Sequence, residues 1–134
     1  MKIFVILLLV TTTIGVVPSY YVQPPKCITP PFTAFGSHSL YVGCVTPYDR
    51  VLYQQTIIKT GKWFQGRSAL IKYPLPGYWR NEIISGIWIL DNFRNGTGGY
   101  PHILYGGVGY KNVTIELGSK SFRGFSFNIS IYGH

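Results

Sequence analysis

Between Glu82 and His134 three runs alternate apolar and polar residues with a period of two, and glycine-rich corners separate them. That period suits a strand with one face on a core and the other toward water, whereas a helix repeats every ~3.6 residues. In the first run Ile83, Ile87 and Ile89 share a face. In the second, Val113, Ile115 and Leu117 oppose Asn112, Thr114 and Glu116. In the third, Phe125, Phe127, Ile129 and Ile131 oppose Ser126, Asn128, Ser130 and Tyr132. A shorter fourth run covers His102 to Tyr105. The corners Asn95-Gly96-Thr97-Gly98-Gly99, Gly106-Gly107-Val108-Gly109 and Gly118-Ser119 suit tight reversals that need positive φ. The pattern predicts an all-β fold, an antiparallel β-sandwich or barrel-like single domain with glycine-rich hairpins.

The chain begins with one charge at Lys2, an apolar run from Ile3, and small residues at Val17 and Ser19. This predicts a secretory signal peptide over residues 1–19, its apolar run shorter than the ~20 residues a membrane span needs. A buried N-terminal strand or a retained anchor is the competing reading. No other stretch is apolar and long enough to cross a bilayer as a helix, so no membrane span is expected after cleavage. Residues 20–134 then form one domain, with a proline-rich arm over 20–37. The net charge is +8, and removal of Lys2 lowers it by one. A basic balance fits anionic partners such as nucleic acid, glycosaminoglycan or lipid head groups, or serves solubility. The cations are scattered without adjacent pairs, which favours the second.

Cys27 and Cys44 are the two cysteines, and in an oxidising compartment they are expected to form one disulfide rather than two thiols or a metal pair. Closing that loop stabilises a fold by about 3 kcal/mol in the chain-entropy treatment. Pro24, Pro25, Pro30 and Pro31 hold the arm extended and keep it out of a central strand. Residues 39–45 read as a strand. Residues 50–59, RVLYQQTIIK, read as strand over helix because β-branched and aromatic residues dominate.

Residues 60–81, TGKWFQGRSALIKYPLPGYWRN, show no clear period and mix aromatics with cations. Such a mixture can stack on sugars or bases and hold anionic groups. The weightier reading places the large aromatics in the core or over its open end. Sequons stand at Asn95, Asn112 and Asn128, the first in a glycine turn and the other two on polar strand faces. Glycans there would shield that sheet face and leave the segment from Lys62 to Arg80 as the accessible surface. Trp63 and Trp79 are the candidate anchors, Arg67 and Arg80 the candidate partners for carboxylate, sulfate or phosphate. An interacting protein or an anionic glycan fits that chemistry.

Catalytic and metal-binding patterns are weak. The string from Asp91 imitates the start of a calcium loop, but Phe93 stands where an oxygen ligand is needed and His102 where the bidentate glutamate belongs. Gly107-Val108-Gly109 precedes a strand rather than a helix, so no helix N-terminus awaits a dinucleotide phosphate. The histidines His38, His102 and His134 have no ligand spacing with one another or with the cysteines. With Asp49, Glu82, Asp91 and Glu116 as the carboxylates, and no serine or cysteine in a nucleophile setting, the expectation is a non-enzyme without cofactor or metal.

The run I-x-x-I-W-I-L-D from Ile84, GTGGY from Gly96, GGVGYKNVTI from Gly106 and RGFSFNISIYG ending at Gly133 together resemble the C-terminal signature of the insect multiprotein bridging factor 2 family. Upstream, LYVGC and TPYDRVLYQQTI resemble its Gly-Asp-Arg-Leu-Leu stretch, with Tyr48 where the family has glycine and Cys44 where serine is common. The resemblance implies one of two roles. One is a transcriptional coactivator, which bridges an activator to general transcription factors without direct DNA binding. The other is a secreted peptide of the salivary or haemolymph type. The leader, sequons and cysteine pair favour the secreted binding protein, with nuclear coactivation as the alternative.

Overall fold

Among the described residues, 20–31, 37–93, 96–120 and 122–134, the computed structural model has seven strands and no helix. The expected leader, the middle of the proline-rich arm and the Asn95 sequon lie outside the described residues. The strands are β1 (Leu40–Gly43), β2 (Arg50–Lys59), β3 (Ser68–Tyr73), β4 (Ile84–Asp91), β5 (Tyr100–Gly106), β6 (Val113–Gly118) and β7 (Phe125–Gly133). One sheet runs β1-β4-β7-β2 and the other β3-β6-β5, every pairing antiparallel. Neither sheet closes on itself, so the fold is a sandwich and not a barrel.

The two sequence runs with the cleanest alternation became inner strands. Phe125, Phe127, Ile129 and Ile131 of β7 are fully enclosed, as are Ile115 and Leu117 of β6, with Val113 nearly so. Ile71, Tyr73, Ile84, Ile87 and Ile89 complete the layer between the sheets. Enclosing one such side chain stabilises by about 1.5–3 kcal/mol, a large share of a net stability on the order of 10 kcal/mol. Pro101, which cannot donate to a ladder, sits on the edge strand β5.

Two expectations need correction here. The face assigned to Ile83, Ile87 and Ile89 is interrupted by a register shift between Ile84 and Gly86, so Ile84 rather than Ile83 points into the core. Residues 60–81 contain β3, whose inward residues are Ala69, Ile71 and Tyr73 while Ser68, Leu70 and Lys72 face out. The outward Leu70 masks the alternation.

The turns behave unequally. In the β5–β6 turn Gly107 and Gly109 adopt φ of +112° and +88°, whereas Gly118 has no left-handed backbone and ends its strand in open space. Asn112 belongs to that turn rather than to a strand face: it is exposed, and its carbonyl accepts the Gly107 N–H at 2.9 Å. Cys27 and Cys44 are joined, their Cα atoms 5.2 Å apart. Ile28 N–H donates to the Val45 carbonyl at 2.6 Å, and Tyr41 Oη donates to the Pro31 carbonyl at 3.0 Å, so the arm is held along β1.

The register sorts the loops into two ends. Arg50, Ile84 and Gly133 align at one end of the larger sheet, and Tyr73, Gly106 and Val113 align on the smaller. Ile84 N–H to Tyr110 O at 2.9 Å ties these together. Lys59 and Phe125 mark the other end, where Ser68, Tyr100 and Gly118 align.

Candidate functional site

The segment from Lys62 to Arg80 does not form one surface. β3 runs through its middle, and six residues at about 3.3 Å each separate Trp63 and Arg67 from Trp79 and Arg80 by about 20 Å. The four candidate residues fall into two pairs at opposite ends of the sandwich.

At the first end the β3–β4 loop and the β5–β6 turn enclose a cleft of about 660 Å³. Lys72, Arg80 and Lys111 line it with Leu75, Trp79 and Tyr105, and its lining includes no carboxylate. Trp79 is 95% exposed, so it does not complete the core as the weightier sequence reading had it. Tyr73 lines the same cleft while 95% of its surface is covered, and its hydroxyl has no hydrogen-bond partner among the described residues. Burial pushes the Tyr73 phenol up, the Glu82 carboxylate adds to the rise, and Arg80 and Arg50 oppose it. Glu82 forms a 2.6 Å ion pair with Arg50 and a looser one, 3.9 Å, with Arg80. Its carboxyl is held low first by its own backbone amide and then, against burial, by Arg50 and Arg80.

At the second end Trp63 and Phe64 form the tip of a turn closed by a Lys62–Gln65 bridge. Trp63 is 82% exposed and Phe64 83%, which overturns the core reading there too. Phe122 joins them from the β6–β7 loop, its ring 5.8 Å from Trp63 and 5.2 Å from Phe64. Phe64 and Phe122 have φ of 60° and 68°, a region that costs a bulky side chain about 1–2 kcal/mol. Arg67 is half-buried, its N–H donates to Ser119 Oγ at 3.0 Å, and its Nε lacks an acceptor among the described residues.

A third group was invisible to sequence reading because its members are far apart in the chain. Ser85 Oγ donates to Asp49 Oδ1 at 2.6 Å, and His134 Nδ1 lies 2.9 Å from both atoms. These residue types suggest a nucleophile, base and orienting acid. The geometry is different: in such a relay the serine and the carboxylate bind opposite imidazole nitrogens, whereas here both meet Nδ1 and the serine proton points to the carboxylate. The group clamps the β1–β2 turn, the β4 bulge and the end of β7.

The family model described as "Transcription activator MBF2" matches residues 42–133, from within β1 to the last residue of β7. The chain belongs to the MBF2 family. A relative from Bombus ignitus named "Probable salivary secreted peptide" is 40% identical over 97 residues, which is 72% of this chain and 69% of the relative. No solved structure matches the chain. The MBF2 match takes in both ends of the sandwich and Cys44, while Cys27 lies before it.

The sequons bear on access. Asn112 itself lines the Trp79 cleft, so the expectation that glycans would leave this surface unshielded fails for that position. Asn128 lies half-buried on the outer face of β7, where Thr56 Oγ1 donates to its Oδ1 at 2.7 Å. Asn92 Nδ2 donates to the same oxygen at 3.3 Å, and Asn128 Nδ2 donates back to Asn92 Oδ1 at 3.4 Å. His38, another residue without expected ligand geometry, is structural: its N–H donates to Asp91 Oδ2 at 2.9 Å and its ring stacks on Tyr100 at 4.0 Å.

Proposed function

We propose that this MBF2-family protein is exported, performs no catalysis, and acts by binding an anionic partner at the Trp79 cleft. Export is supported by the leader pattern, by the name of the Bombus relative and by the Cys27–Cys44 bridge, a feature of oxidising compartments. The observation that carries the binding assignment is Trp79, 95% exposed beside a cleft lined by three cations. A fully exposed indole contributes nothing to the fold, yet it offers a large, rigid anchor next to Arg80 and Lys72. The chemistry suits the sulfates or carboxylates of a glycan and equally an acidic protein segment.

Capture on immobilised heparin, compared among the parent protein, Trp79→Ala and Arg80→Ala, tests the assignment. Both substitutions should weaken capture, the arginine change in a salt-dependent way, while the melting temperature barely moves because both side chains are exposed. Unchanged capture in both variants removes the cleft from consideration, and a large fall in melting temperature makes the segment structural.

The family description "Transcription activator MBF2" favours a second reading, a nuclear coactivator that binds through protein partners. Mass and location of the native protein separate the two. A chain lacking residues 1–19 in secretions supports export, and full-length chain confined to nuclei supports coactivation.

A further inference from the structure

We propose that the tip made by Trp63, Phe64 and Phe122 is a membrane-surface anchor that seats this end of the sandwich in an anionic phospholipid headgroup layer. Three observations carry it beyond the cleft at the opposite end. First, the three rings are apolar area presented outward, at 82%, 83% and 53% exposure, and Phe122 meets the other two edge to face while Trp63 and Phe64 tilt at 47° to each other, so the rings do not lie as a flat platform. A sugar stacks on an open ring face, whereas an edge-to-face cluster is a convex wedge suited to the boundary between headgroups and acyl chains.

Second, the wedge is preorganised against local preference. Left-handed turn positions belong by backbone chemistry to glycine or asparagine, and here phenylalanine occupies two of them. The surroundings hold them there: Phe122 N–H donates to Gln65 O at 3.3 Å, Ser119 N–H to Arg67 O at 2.8 Å, and Ser119 Oγ to the Arg123 carbonyl at 2.6 Å. The first two of these bonds join the two loops, and the third braces the β6–β7 loop internally. Strain kept at an exposed site, with a large apolar side chain as its result, points to a purpose for that side chain.

Third, the charge around the wedge has one sign. Lys62, Lys120 and Arg123 are exposed beside the rings, and residues 60–67 and 119–124 contain no aspartate or glutamate. Neither a few rings nor a few cations hold a protein on a membrane alone, but the two together do, and the cations require the lipid to be anionic.

Vesicle flotation tests this with phosphatidylcholine alone and with phosphatidylcholine mixed with phosphatidylserine. The informative variant is Phe64→Gly with Phe122→Gly, because glycine suits both backbone conformations and removes the rings without endangering the fold. The parent protein is expected to float with the mixed vesicles and not with phosphatidylcholine alone. Partition should fall about fivefold for each of Lys62, Lys120 and Arg123 changed to glutamine, and on the order of tenfold or more for the double glycine variant. Absence of flotation with mixed vesicles overturns the proposal, as does flotation that the double glycine variant leaves intact. Failure to bind vesicles combined with self-association that the same variant abolishes would make the wedge a contact between copies of the chain, which also overturns it.

Discussion

Replacing Asp49 by asparagine removes one charge and keeps the shape of the side chain, so it isolates what the clamp around this residue contributes. The Asp49 side chain is 2% exposed. It accepts the Thr46 N–H at 2.7 Å, Thr46 Oγ1 at 3.1 Å and Ser85 Oγ at 2.6 Å, and faces His134 Nδ1 at 2.9 Å. Burial pushes its carboxyl up, but the hydrogen bonds from Ser85, Thr46 and His134 outweigh that and bring it from 3.8 to about 2. Such a shift corresponds at most to ~2.4 kcal/mol favouring the folded state when the carboxylate is ionised in both states. Solvent beside the turn and the exposed His134 ring reduces this to about 1–2 kcal/mol.

The sign follows from the direction of the shift. A depressed carboxyl contributes fully above its unfolded value of 3.8, loses the contribution as pH falls from there toward 2, and gives nothing below. Urea unfolding of parent and Asp49→Asn at neutral pH should therefore differ by about 1–2 kcal/mol, and the difference should close as pH approaches 2. An equal deficit at both pH values would show that Asp49 acts as a hydrogen-bond acceptor, whose second oxygen asparagine replaces with a donor, and not through its charge. No deficit at neutral pH would refute the clamp.

Other outcomes follow from single contacts. Changing Cys27 and Cys44 together to serine should cost about 3 kcal/mol in urea unfolding, and non-reducing peptide mapping of the parent should recover the cross-linked pair. Gly106→Ala should cost at least ~2 kcal/mol, because the added Cβ meets the Asn112 carbonyl and side chain and the backbone there is left-handed; a normal thermal midpoint would contradict the turn geometry. Glycan mapping of protein from a secreting cell should find Asn112 modified more completely than Asn128, whose amide nitrogen is already engaged. Asn112→Gln should then raise heparin capture by opening the cleft, and a fall in capture would contradict that placement.

What the sequence made legible depended on whether neighbouring residues carried the signal. β7 and β6 could be read because each has a strict alternation whose apolar face burial obeys throughout, from Phe125 to Ile131 and from Val113 to Leu117, although Ser130 on the polar face of β7 is also buried. β2 could be read from composition, since Val51, Tyr53, Thr56, Ile57 and Ile58 favour the pleated conformation. β3 could not, because Leu70 faces outward and fills the polar phase. The bulge in β4 shifted the inward residue by one position, and the signal for it, the isolated Gly86 inside an otherwise β-branched run, is easily passed over. The site was half legible. Aromatics and cations marked residues 60–81 as unusual, but only the pairing of β3 with β6 shows that its two clusters point away from each other. The Asp49, Ser85 and His134 group needed the pairing of β4 with β7, and Phe122 needed the contact between two loops.

The separation of the two surfaces has a mechanical consequence. Strands do not shorten or bend easily, and β3 joins one end directly to the other, so the Trp79 cleft and the Phe64 wedge are held about 20 Å apart and face opposite directions. A partner filling the cleft does not touch the wedge, and a headgroup layer around the wedge leaves the cleft toward solution. Binding at the two ends should therefore be independent: saturating the protein with short heparin fragments should leave flotation with phosphatidylserine vesicles reduced only by the charge that the fragments bring. Arg80→Ala should lower capture without altering flotation, and the double glycine variant should do the reverse. If either variant lowered both, the two ends would belong to a single binding surface wrapped around the edge strand β3, and the anchoring role of Trp63, Phe64 and Phe122 would have to be given up with it.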